Sequence, residues 1–372
     1  MTRLTSSLFP LSILLLAAGC TPPGDGDGDG NDPDPIFGDG SHSVDSIQVD
    51  VIADSGDDLM VPRDLEFHPD RPTELWILNR GDGPLDESMV VLDDPGTDDQ
   101  EATYYISGGN QHFLAQGSAI AFSENGNFAS IHETDIPTQG PPAQGGTPAD
   151  FMGPTLWTSD RDIFDAGHGG HLDMLHSTVN GMGIAAAGGN AFWVFEGDGT
   201  VAKYDFNDDH GPGGADHSDG EYWRYNDAEV ERESGVPSHM EFDADSELLY
   251  IADTGNNRIC VLDTTEGEEG RVFNTYDGRG TEVDGAETNT LVEGEEVNMR
   301  EPSGLALHDG MIFVSDNRTG ILFAFDMDGG MLDWVDLERE RAITGITFDE
   351  DGVLYLADAE SEEILRIDFN TD

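Results

Sequence analysis

The sequence predicts an all-β fold, a six-bladed β-propeller whose ring is closed by an outer strand from the N-terminal side. Three observations carry this. First, residues 247–263, ELLYIADTGNNRICVLD, alternate apolar with small or polar residues on either side of a turn, the period-2 signature of two half-buried strands. Gly255 and Asn256 tolerate positive φ, and Asp253 can bond neighbouring amides, so the turn has a mechanism. Second, the unit recurs over residues 62–93, 117–160, 181–208, 237–263, 302–326 and 344–369. Antiparallel units repeating every ~40–50 residues indicate radial blades rather than a sandwich. Third, the last repeat has only three strands, while residues 46–53, SIQVDVIA, form a strand with no repeat of their own. Pairing the two closes the ring and leaves fewer edges exposed.

Within each repeat the first strand is apolar: DLEF, AIAF, GIAA, HMEF, GLAL and GITF in turn. A second follows, such as ELWILN, NFASIH, AFWVFE, MIFVSD or VLYLAD, and then a third. Outer fourth strands are expected at 102–107, 272–276 and 331–335, with weaker signals after the second and third repeats. Residues 236–263, VPSHMEF through ADTGNNRI to VLD, resemble an NHL repeat. That resemblance implies a propeller of NHL type. It also suggests a distant likeness to the peptidyl-hydroxyglycine amidating lyase propeller, in which histidines at the starts of blades hold zinc. In this chain it draws attention to His239, and to Asp64 in the segment PRDL.

The first twenty residues read as a lipoprotein signal peptide. Arg3 precedes the apolar run 8–18, which ends in Leu16-Ala-Ala-Gly-Cys20, similar to a bacterial lipobox. Cys20 would then be acylated and hold the protein to a membrane of the bacterial cell envelope. Residues 21–43, rich in Gly, Asp and Pro, are expected to form a flexible tether to a propeller spanning 44–372. With Cys20 lipidated, Cys260 stands alone inside a strand as a packing residue.

Charge narrows the partners. Against 77 acidic residues stand 16 basic ones, a formal net charge of −61, with Lys203 the single lysine. Such a surface repels nucleic acid and anionic lipid. Its spread over every repeat fits adaptation to a saline environment, with some carboxylates available to divalent cations.

In an up-and-down blade the start of the innermost strand and the end of the second share one face, where ligand sites gather around the channel mouth. Inner-strand starts place Asp64 and His239 there; second-strand ends place Asn79 and His132, with Arg80 and Glu133 directly after them. The long inserts between repeats hold five of the eleven histidines. His168, His171 and His176 lie within nine residues, and, if helical, Asp173 and His176 share a face. Residues 205–220 add His210 and His217 among five aspartates. Imidazole and carboxylate at this density can ligate zinc, and the aspartates calcium. His68 and His308 end inner strands on the opposite rim and are expected to be exposed.

No nucleophile elbow, phosphate loop or dinucleotide fingerprint is present. Two functions remain open. One is a binding or scaffolding lipoprotein whose channel mouth engages a protein or small-molecule ligand through Asn79, Arg80, Glu133, Asp173 and His217. The other is a metal-dependent hydrolase or lyase with a zinc or calcium ion held by His239, His171, His176, His132 and Asp64. It requires His239 to meet at least one of the other histidines.

Overall fold

The computed structural model describes residues 34–83, 88–106, 114–136, 147–148, 152–164, 170–213 and 216–369. Cys20, His168 and most of the insert between residues 134 and 154 lie outside them. After β1 (Gln48–Ala53), blade 1 comprises β2 (Pro62–His68), β3 (Arg71–Asn79), β4 (Ser88–Asp93) and β5 (Glu101–Tyr105). Blade 2 comprises β6 (Gly117–Phe122), β7 (Phe128–His132), β8 (Thr155–Trp157) and β9 (His171–Met174). Blade 3 is built on β10 (Gly183–Gly188), β11 (Ala191–Phe195), β12 (Val201–Asp205) and β13 (Glu221–Tyr225). Blade 4 takes β14 (Met240–Asp243), β15 (Leu248–Asp253) and β16 (Arg258–Asp263), followed by β17 (Glu268–Asn274), β18 (Arg279–Asp284) and β19 (Thr288–Glu293). Blade 5 holds β20 (Pro302–His308), β21 (Met311–Asp316), β22 (Ile321–Asp326) and β23 (Met331–Asp336). Blade 6 holds β24 (Ile343–Phe348), β25 (Leu354–Asp358) and β26 (Glu363–Asp368).

The innermost strands β2, β6, β10, β14, β20 and β24 contact one another in that order, and β24 returns to β2. The fold is a six-bladed β-propeller. β1 pairs antiparallel with β26, from Gln48 opposite Asp368 to Ala53 opposite Ile364, so the N-terminal strand completes blade 6.

Period-2 patterning explains why the blades stack. Leu75 and Ile77 of β3 enter the apolar cluster between blades 6 and 1, while Trp76 and Leu78 enter the one between blades 1 and 2. In β15, Leu249 and Ile251 face blade 3, and Tyr250 and Ala252 face blade 5. Six such clusters occupy the six interfaces. Each fully buried large side chain contributes roughly 1.5–3 kcal/mol, so no blade is stable by itself.

Three expectations are corrected. Residues 272–276 are not the outer strand of blade 4; β19 takes that edge, with Val292 buried opposite Ile259. Val272 and Tyr276 stay 50% and 58% exposed, Tyr276 packing edge-on against His176. Their hairpin, β17–β18, instead pairs in parallel with β13 and extends blade 3 to six strands. Within the histidine-rich run, His171–Met174 is a strand, β9, so Asp173 and His176 do not share a helical face. Packed structure also begins before residue 44, inside the stretch expected to be tether. Phe37 is fully buried edge-on against Phe313 and Phe369, its N–H and that of Ile36 bond Asp333 Oδ2, and His42 stacks on Trp334. Ile36 and Phe37 supply apolar surface that the Gly/Asp/Pro composition conceals.

Candidate functional site at the channel mouth

Blades 1 and 4 stand opposite each other in the ring, and their inner strands send polar side chains into the axis. Asp64 sits on β2, and His239 immediately precedes β14. Asp64 is buried, its Oδ2 accepting from the Ile120 amide at 2.8 Å and its Oδ1 from that of Leu65 at 2.9 Å. His239 Nδ1 lies 3.4 Å from Asp64 Oδ1, and Nε2 donates to the Ser118 carbonyl at 3.3 Å. The small residue at Gly345 makes this possible, since a Cβ there would stand 2.7 Å from Asp64 Oδ1. Two residues further along each strand, Glu66 and Glu241 line the same channel and stay half-buried.

Burial sets the protonation of this group. It pushes the Asp64 carboxyl up to about 8, against the two amide bonds that favour the anion. Burial first and Asp64 second raise Glu241 to about 8, and Glu66 well above its usual range, with Glu241 adding to the latter. His239 is pushed down to about 4 by burial, and the nearby Arg63 charge lowers it further. At neutral pH the pair is therefore a protonated carboxyl beside a neutral imidazole.

Beside this pair lies a residue the sequence reading passed over. Arg63 is 3% exposed, yet its Nε and Nη1 have no hydrogen-bond partner among the described residues. Its nearest counterion is Glu133 Oε2 at 3.9 Å. Glu133 is committed elsewhere: Oε1 accepts from Arg232 Nη1 at 3.1 Å, Ser234 Oγ at 3.2 Å and the Gly235 amide at 2.9 Å. Burial lowers the Arg63 pKa to about 10, Glu133 opposing and Arg80 adding to the effect. Arg80 is thus a second guanidinium within electrostatic reach, and its Nε also has no hydrogen-bond partner among the described residues. The available signal was an arginine at an inner-strand start in a chain with so few cations.

The other sequence candidates separate. Asn79 is saturated by the Met60 amide, the Asp58 carbonyl and the Ser88 hydroxyl, so it shapes a loop and offers nothing to a ligand. Asp253, Asp316 and Asp358, at the same blade position, likewise cap backbone amides. His132 is buried with neither ring nitrogen hydrogen-bonded among the described residues, and burial, then His176, lowers its pKa to about 4. His171, Asp173, His176 and His217 lie where blades 2 and 3 adjoin, on or after the outermost strand β9. His217 pairs with Asp173, and His176 with Asp277. The expected five-residue metal set is therefore corrected. Among the described residues His239 pairs with no other imidazole, its two nitrogens facing Asp64 and Ser118. His68 is likewise buried rather than exposed, bonded to Ser159 Oγ.

No protein-family model matches the chain, and no curated protein matches it significantly in sequence. Solved structures do share its architecture. An auxiliary nutrient binding protein from Bacteroides thetaiotaomicron superposes with a TM-score of 0.55 at 14% identity, over 82% of this chain and 68% of that one. A protein of unknown function from the same organism gives 0.55 at 12% identity, over 90% and 74%. Virginiamycin B lyase from Staphylococcus aureus gives 0.50 at 12% identity, over 87% and 99%. At these identities the likeness extends to the fold, which hosts unrelated activities.

Proposed function

We propose that this chain is a ligand-binding propeller, lipid-anchored in the bacterial cell envelope through Cys20, whose channel mouth takes a ligand bearing an oxyanion such as a carboxylate or phosphate. The observation that carries this reading is Arg63. A guanidinium so deeply buried with two N–H groups unpaired is costly. An oxyanion beside the guanidinium would accept the charge-assisted hydrogen bonds these groups lack. Arg80 adds charge beside it, and the protonated Asp64 beside neutral His239 keeps the channel wall from repelling an anion. The nutrient-binding propeller supports the reading only as a fold that can carry such a site. The metal-dependent hydrolase or lyase reading draws nothing from His239, whose nitrogens face Asp64 and Ser118.

The test is titration of the full chain with acetate, succinate, citrate, phosphate and sulfate at low ionic strength, by calorimetry and thermal shift. At least one should bind saturably, and Arg63→Gln should weaken it by ten-fold or more, roughly the 1.5–3 kcal/mol of a charged hydrogen bond. The unliganded Arg63→Gln protein should be at least as stable as wild type, because an unpaired buried guanidinium is costly and its Glu133 contact is long. The reading fails if no oxyanion binds, or if Arg63→Gln and Arg80→Gln both bind as wild type does.

A further inference from the structure

A second constellation, independent of the channel mouth, fills the cleft between the outer parts of blades 2 and 3. Asp173, on β9, is fully buried. Its Oδ1 accepts from the Met174 amide at 2.6 Å and meets His217 Nδ1 at 2.5 Å. Its Oδ2 is buried and has no hydrogen-bond partner among the described residues. The connection between β12 and β13 folds back towards that bare oxygen. From it come His210, whose Nε2 lies 3.7 Å from Asp173 Oδ2, and Asp219, whose Oδ1 lies 2.7 Å from the same nitrogen. One donor atom from each of Asp173, His210 and Asp219 lies within 4.8 Å of the others, the one such three-residue group among the described residues.

The backbone holds these donors in place. Asn207 sits at φ 57° and donates through its side chain to the Asp219 carbonyl at 2.7 Å, while the Asp208 amide reaches Asp219 Oδ2 at 3.3 Å. Close backbone approach seals the cleft. A Cβ at Gly278 would lie 2.0 Å from the Gly220 carbonyl oxygen, so the β17–β18 turn can close over it and bring Asp277 to His176.

We propose that Asp173, His210 and Asp219 form a binding site for a divalent transition-metal ion of the zinc class. Donors on a tetrahedral zinc at 2.0–2.2 Å are spaced by about 3.2–3.6 Å, and the observed 2.7 and 3.7 Å separations bracket that spacing. The ion supplies the partner that Asp173 Oδ2 lacks. His217 holds the other oxygen of the same carboxylate, the way outer partners orient a ligating group. One imidazole among the donors favours zinc, cobalt or manganese over calcium, which takes oxygen ligands. A bound ion ties the β12–β13 connection to β9 and so fastens two neighbouring blades at their rims.

The test uses the full chain, stripped with chelator and titrated with zinc against a chromophoric competitor, and with cobalt by visible absorption. One equivalent should bind, cobalt should give the intense bands of a low-symmetry site, and the melting temperature should rise on loading. His210→Gln, a partly exposed change that the fold tolerates, and Asp173→Asn should each weaken zinc binding by more than about tenfold, with His217→Gln weaker in effect. The proposal is overturned by no stoichiometric uptake, or by His210→Gln and Asp173→Asn binding zinc like wild type, which would place the ion on other histidines. Displacement of zinc by an equal concentration of calcium would overturn the metal class.

Discussion

Replacing Glu241 with glutamine should stabilise the propeller, and by more as the pH rises. Burial in the axial channel, with Asp64 nearby, holds the Glu241 pKa at about 8 rather than 4.5. A carboxyl whose pKa is raised by folding binds its proton more tightly in the native state. Its contribution is therefore complete below the unfolded value and lost as the pH climbs through about 8. At ~1.4 kcal/mol per pH unit the gap corresponds to a ceiling of about 5 kcal/mol. The side chain is only half-buried, which reduces the expected gain to about 1–3 kcal/mol at pH 8. Glutamine also removes a charge that adds to burial and Asp64 in raising Glu66. His239 acts in the opposite sense: its pKa is lowered to about 4, so its contribution is lost as the pH falls from 6.5. It is common to both proteins and cancels in the difference. Urea melts of wild type and Glu241→Gln at about pH 5, 7 and 9, in salt high enough to screen the surface charge, measure the difference directly. A difference that stays constant with pH, or a variant less stable than wild type at the alkaline end, would refute the reasoning.

Cys20→Ser should release the protein from the detergent phase in phase partitioning; recovery there as for wild type would sink the lipid anchor. A variant lacking residues 46–53 strips β26 of its partner and should lower the melting temperature of the whole ring in one transition; an unchanged melting temperature would contradict closure by β1. Phe37→Ala should cost about 3 kcal/mol, the low end for a buried phenylalanine because the segment can peel away, as chemical denaturation would show. Arg63→Gln should weaken oxyanion binding by ten-fold or more without loss of stability, read from calorimetry and melting together.

Much of the architecture was legible because blade structure is written locally. The run ADTGNNRI names a turn between two strands, and alternation in ELWILN and LLYIAD specifies that both faces are buried. The unpaired SIQVDVIA, set against a three-stranded last repeat, foretold ring closure. Two placements failed for physical reasons. The hairpin 268–284 has strand periodicity but little to bury, so which sheet edge it joins depends on where an open edge stands. The segment around Ile36 and Phe37 carries two apolar residues in a polar run, too few to register until the pocket formed by Phe313 and Phe369 exists.

The functional residues divide along the same line. By itself the sequence determined the blade count, the closing strand, and that Asp64 and His239 start inner strands, because strand period and turn chemistry are properties of neighbouring residues. Only the tertiary structure decided that Asp64 and His239 meet across the axis, that Arg63 is buried without a close partner, and that Asp173 gathers His210 and Asp219. These residues are far apart in the chain, and adjacency in sequence had grouped His171 and His176 with the channel instead. Which side chains face one another across blades is set by the curvature of a six-membered ring and the path of the connections over it, and neither is encoded in any single repeat.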